Sequence, residues 1–166
     1  MILIAIDPGY EKVGYAIFQK NTVKKKDFTF LGSDLIKTSA KDTHEKRLFS
    51  VYTSLSKIIQ TNKVESMVIE QLFFFKNKKT VLQVAQAIGV IELIAAQNKL
   101  PITRLTPLQI KETITGYGVA DKKSVQKMIK LELGDAIHFK EDDESDAIAC
   151  GLAYCLRNDS DKGLLS

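Results

Sequence analysis

The sequence predicts an α/β domain built on a mixed sheet flanked by helices, and three observations carry that reading. The first third consists of short apolar runs separated by turns rich in Gly, Asn and Lys. A stretch with helical spacing then leads into another buried strand, and beyond it helical periodicity dominates around one more short strand. A strand, a helix and a strand in succession imply a parallel pair joined by a right-handed crossover.

Taken in order, Ile2 to Asp7 reads as a buried strand, Gly14 to Lys20 as a second and Asp27 to Lys37 as a third. Their short connections imply antiparallel neighbours. From Thr43 to Asn62, Leu48, Val51, Leu55, Ile58 and Ile59 recur at helical spacing, so a helix crosses back and delivers the strand Glu65 to Glu70. Lys78 to Asn98 is a long helix, apolar over more than one face, and such a helix must be covered on two sides. The sheet supplies one cover and leaves the other for a second subunit. After the strand Pro101 to Leu105, Thr106 and Pro107 read as N-cap and first residue of a helix. Asp121 caps the next, Lys122 to Leu133, and the last runs from Asp143 to Arg157, with 158–166 a frayed tail.

Composition narrows the function classes. The 166 residues suit one domain, spanning 1–157, and a chain of this size buries roughly 70% of its unfolded surface. An apolar content of 45% beside 27% charged residues excludes a disordered chain. The net charge of +4 and pI of 8.9 suit a polyanionic partner without requiring one. Cys150 and Cys155, five residues apart on one helix, point about 140° apart and read as free thiols in a reducing cytoplasm. No window approaches ~18 uninterrupted apolar residues, so neither export nor membrane insertion is expected.

Four acidic residues carry the chemistry. Asp7 and Glu70 each end an apolar strand, and carboxyl ends of such strands face the crevice where open α/β sheets place their ligands. Asp143 and Asp146, three apart at the start of a helix, share one face. Two unit charges ~5 Å apart at an effective dielectric of 20 repel by roughly 3 kcal/mol. A cluster of four contains several such pairs, which rivals the whole stability of a domain. Such a cluster calls for a cation, and a donor set of oxygens alone selects Mg²⁺ or Mn²⁺ over zinc. Two such ions ~3.5 to 4 Å apart suit in-line attack on a phosphodiester. Taken singly, Asp7 also reads as a strand-end turn residue and Asp143 as a helix N-cap or first-turn residue favoured by the helix dipole.

Basic and aromatic residues surround these acids. Phe73, Phe74, Lys76, Lys78 and Lys79 follow Glu70 directly, and exposed aromatics stack on unpaired bases while lysines neutralise phosphates. The same phenylalanines also fit core or interface packing. Lys111, Lys122, Lys123, Lys127 and Lys130 form a second basic group across two helices, which equally fits a solvated surface. His44 and His138 lack metal-ligand spacing.

These stretches together resemble the RuvC Holliday-junction resolvases. Ile6-Asp7-Pro8-Gly9 with Gly14-Tyr15, Ile69-Glu70-Gln71 with Phe73 and Lys76-Asn77, Gln83 to Gly89, Lys111-Glu112-Thr113, Gly116-Tyr117-Gly118 and Asp143-Glu144-Ser145-Asp146-Ala147 occur in that family's order and spacing. The resemblance reaches residue 157. It implies an RNase H-like fold with a five-stranded mixed sheet, in which Asp7, Glu70, Asp143 and Asp146 bind Mg²⁺. It also implies a homodimer that nicks two opposed strands of a four-way DNA junction, leaving 5′-phosphate and 3′-hydroxyl ends in recombination and repair. Phe73 then stacks on a base near the crossover, and Lys111 and Lys122 approach the scissile phosphate; a branch-migration motor is a candidate partner.

Two departures from the family pattern stand out. Lys123 beside Lys122 leaves open which of them faces the phosphate, and Glu144 and Ser145 replace small residues between the final aspartates, Glu144 adding a carboxylate that bears on metal preference. Three rival readings remain. A nucleotide-binding lobe of the actin and sugar-kinase type would need a second lobe. A catalytically silent junction-binding module would need a lost acid. An RNase H acting on RNA in hybrids shares the carboxylate set.

Overall fold

The structure is a computed structural model that describes residues 1–21, 23–24, 27–71 and 81–157. Five strands form one sheet: β1 (Ile2–Asp7), β2 (Lys12–Lys20), β3 (Phe28–Lys37), β4 (Ser66–Glu70) and β5 (Ile102–Leu105), in the order β3-β2-β1-β4-β5. β1 pairs antiparallel with β2 and parallel with β4; β2–β3 is antiparallel and β4–β5 parallel. The mixed sheet read from the sequence is therefore present. The helices are α1 (His44–Asn62), α2 (Val81–Gln97), α3 (Pro107–Thr115), α4 (Lys122–Leu133) and α5 (Asp142–Leu156).

Strand alternation sorts the side chains into two cores. Leu3, Ala5 and Val68 face one side, where α3, α4 and α5 pack through residues such as Ile110, Ile129 and Ile148. Ile4, Ile6, Met67 and Ile69 face the other, against Val51 and Leu55 of α1 and Ile91 and Ile94 of α2. Side chains two residues apart share a face. Asp7 therefore continues the row of Leu3 and Ala5, and Glu70 continues the row of Val68. Both acids emerge on the side covered by α5.

Two glycines let α5 lie close on that side. A Cβ on Gly151 would sit 2.4 Å from Phe18 and 3.0 Å from the Cβ of Ala5. A Cβ on Gly14 would sit 2.0 Å from the backbone oxygen of Asp143. Since Gly14 is the register partner of Asp7, this contact brings the first turn of α5 to the end of β1.

The expected caps are present, and some element starts differ. The Thr106 hydroxyl accepts from the Gln109 amide while the Gln109 side chain accepts from the Thr106 amide, and Asp121 accepts from the Ser124 amide at 2.7 Å. The final helix begins at Asp142 rather than Asp143, with Glu141 at the N-cap. Asp143 thus sits inside the first turn, the second of the two helix-start positions it suited, and Glu141 takes the N-cap. β2 also starts earlier than expected, at Lys12, because its pairing with β3 extends to Lys37.

Helix α2 buries Ala87, Ile91, Ile94 and Ala95 and leaves Leu82 and Leu93 exposed. The uncovered apolar side foreseen from the sequence is there among the described residues. Residues 78–80, at the start of the helix as read from the sequence, and the 158–166 tail lie outside those residues. Cys150 and Cys155 are buried free thiols. Among the described residues no helix is long and apolar enough to cross a membrane.

Candidate active site

Asp7 and Glu70 end adjacent parallel strands on one face of the sheet, where Ile6 and Ile69 are the last paired residues before and beside them. Burial pushes the Asp7 carboxyl well above the ordinary carboxylate range, and Glu70, Asp146 and Asp143 push it further, in that order. Burial, then Asp146, raises Glu70 to about 7, against the opposing pull of Lys122 and Lys111. Among the described residues neither carboxylate has a hydrogen-bond donor. Asp7, Glu70, Asp143 and Asp146 thus influence one another electrostatically.

The lysines read from the sequence flank this unit. The Lys122 ammonium donates to Asp146 at 2.9 Å and lies 3.3 Å from Asp142. Burial lowers its pKa, yet the two carboxylates more than offset that and the net shift is upward. Burial still raises Asp146, because desolvation and its acidic neighbours outweigh the single ion pair. Lys111, Lys122, Glu70 and Asp146 line a cleft of about 280 Å³ walled by Pro107 and Ile110. Lys123 is exposed and does not line it, so the geometry favours Lys122 of the two.

Glu144 does not join the acids. It is 2% exposed and turned toward β3, accepting from the Ser33 hydroxyl at 2.8 Å and the Lys140 amide at 2.7 Å. The extra carboxylate anticipated beside the metal site is therefore spent on packing. Phe73, Phe74, Lys76, Lys78 and Lys79 lie outside the described residues.

Sequence reasoning missed several supports. Glu141 bridges Lys12 of β2 and Lys37 of β3, and Lys140 pairs with Asp34 at 2.9 Å, so the residues that lead into α5 are tied to the hairpin. The turn after Asp7 is held by Tyr10, whose hydroxyl meets His44 Nδ1 at 2.7 Å and whose ring lies 3.8 Å under the Arg47 guanidinium. Arg47 is buried and donates through Nε to Thr38 at 2.9 Å. An arginine on the apolar stripe of α1, four residues before Val51, was the available signal.

The donor chemistry fits a hard divalent cation: two desolvated carboxylates without donors, and a third neutralised by an ammonium. Among the described residues no three Asp, Glu, His or Cys side chains are already drawn together around one point. Coordination would need the acids to close inward and Lys122 to release Asp146.

Comparison with known proteins decides the family. The family model described as crossover junction endodeoxyribonuclease RuvC matches residues 3–154. The chain belongs to the RuvC family. The crossover junction endodeoxyribonuclease RuvC of Fusobacterium nucleatum is 45% identical over 154 residues, covering 93% of this chain and 80% of that protein. The RuvC of Caldicellulosiruptor saccharolyticus is 40% identical over 160 residues, covering 96% and 95%. Among solved structures, Thermus thermophilus RuvC superposes with a TM-score of 0.84 at 23% identity, covering 94% of each chain. The fold is the RNase H-like arrangement of that family.

Proposed function

We propose that this chain is a crossover junction endodeoxyribonuclease that resolves four-way DNA junctions by nicking two opposed strands. Water attacks the phosphorus in line and the P–O3′ bond breaks, leaving 5′-phosphate and 3′-hydroxyl ends. The observation that carries the reading is the placement of Asp7 and Glu70 on one face of adjacent strands, with the first turn of α5 brought to them at Gly14. Mg²⁺, or Mn²⁺ in its place, held as two ions by Asp7, Glu70, Asp143 and Asp146, would supply Lewis acidity at the phosphodiester. Lys111 and Lys122 neutralise the approaching phosphate from the cleft wall. Phe73, three residues after Glu70 in the sequence, stacks on a base at the crossover, and Phe74, Lys76, Lys78, Lys79 and Lys123 contribute to the DNA surface.

Symmetric nicking needs two sites related by a two-fold axis. The exposed Leu82 and Leu93 of α2 supply an apolar face for a homodimer. The reading includes action on cytoplasmic DNA, with a branch-migration motor as a further partner.

Cutting assays on a four-way junction, an RNA/DNA hybrid and single-stranded DNA, with and without Mg²⁺, test it. Paired nicks in the junction alone, dependent on Mg²⁺, are expected. A junction bound but uncut would make the chain a silent binding module, and preferred cutting of the hybrid would make it an RNase H.

A further inference from the structure

Lys122 is held by two carboxylates of unequal setting. Its Nζ lies 2.9 Å from Asp146 Oδ2, inside the cleft, and 3.3 Å from Asp142 Oδ2, whose side chain is 78% exposed. Asp142 and Asp146 stand four apart on α5 and so share one face, like two rungs at different depths. The backbone of Lys122 is fixed as the first residue of α4 behind the Asp121 cap. Its ammonium can therefore travel only as far as its own side chain swings, and both carboxylates lie within that arc.

Two other acids around the first turn of α5 have other partners. Glu141 pairs with Lys12 and Lys37, and Glu144 accepts from Ser33 and Lys140. Among the described residues Asp142 meets no cation except Lys122. A divalent cation on Asp146 and an ammonium on the same carboxylate repel strongly across a partly buried site. The ammonium must then leave Asp146.

We propose that Asp142 is a positioning residue that receives the Lys122 ammonium when Asp146 turns to a divalent cation, keeping the lysine at the rim where the phosphate enters. The proposal rests on the metal-dependent nuclease reading and deepens it. Lys122 acts as the resident counter-ion of Asp146 in the metal-free protein, and Asp142 lowers the cost of displacing it.

Calorimetric titration of Mn²⁺ into the full chain without DNA tests this with four proteins: wild type, Asp142→Asn, Lys122→Met and the double variant. Asp142→Asn is expected to weaken Mn²⁺ binding about threefold, the scale of an exposed ion pair. Lys122→Met is expected to tighten it, and the double variant to match Lys122→Met alone. Asp142→Glu should restore wild-type affinity. Equal affinities for wild type and Asp142→Asn overturn the role of Asp142 while leaving the metal reading intact. An Asp142→Asn effect that persists in the Lys122→Met background also overturns it, since the effect would then be bulk charge. No Mn²⁺ uptake by any of the four proteins overturns the metal reading and the proposal together.

Discussion

The backbone oxygen of Asp143 occupies the place where a side chain on Gly14 would begin, 2.0 Å from a Cβ built there. Gly14 faces Asp7 across the β1–β2 ladder, so the contact couples the sheet acid to the helix acids.

Gly14→Ala is therefore expected to push the first turn of α5 off the sheet. Overpacking of this kind costs about 1–3 kcal/mol, and here the displaced atoms are backbone, which cannot rotate aside. The melting temperature should fall and junction cleavage should fall much further, because Asp143 and Asp146 move away from Asp7. An unchanged melting temperature with wild-type cleavage would show that α5 does not need this approach.

Metal-free stability should depend on pH through the buried acids. Glu70 rises from 4.5 to about 7 on folding, so the folded state binds protons more tightly than the unfolded chain. Stability from this source is full below pH 4.5, is lost as pH rises through about 7, and changes no further above that. At ~1.4 kcal/mol per pH unit the loss is about 3 kcal/mol. Asp7 is raised in the same direction. Asp7→Asn should flatten the profile, raise metal-free stability at pH 7.5 and abolish cleavage while junction binding persists. Denaturant unfolding across pH 4 to 8 measures it, and identical slopes for variant and wild type would contradict the electrostatic coupling.

Glu144 tests the separation between structure and chemistry. Hydrogen bonds to a charged group are worth ~1.5–3 kcal/mol, so Glu144→Ala should destabilise by about 2 kcal/mol and Glu144→Gln by less. Because the side chain points to Ser33, the ratio of Mg²⁺- to Mn²⁺-supported cleavage should stay unchanged in Glu144→Gln. A shifted ratio would return this carboxylate to the metal site.

Phe73→Ala should slow cleavage about tenfold at saturating protein while weakening junction binding less, since stacking is worth ~1–3 kcal/mol per base. Equal cutting rates would remove base stacking from the account.

The acids at strand ends were legible because a period of two assigns faces: once Leu3 and Ala5 are known to face α5, Asp7 must follow, and Glu70 follows Val68 in the same way. The four consecutive acids from Glu141 to Glu144 were not legible in that sense. Helical spacing turns each about 100° from the last, but only the hairpin decides that Glu141 meets Lys12 and Lys37 while Glu144 meets Ser33. Likewise Lys122 and Lys123 are equivalent as letters. The cap at Asp121 fixes where α4 begins and hence which lysine reaches Asp146.

In the proposed mechanism Asp7, Glu70, Asp143 and Asp146 close on divalent cations. The most direct test is anomalous diffraction from crystals of the wild-type protein soaked in Mn²⁺. An anomalous peak bounded by the carboxylates of Asp7, Glu70, Asp143 and Asp146 is expected, with Lys122 displaced from Asp146. No peak at saturating Mn²⁺, or a peak with Glu70 turned away from the other acids, would contradict it.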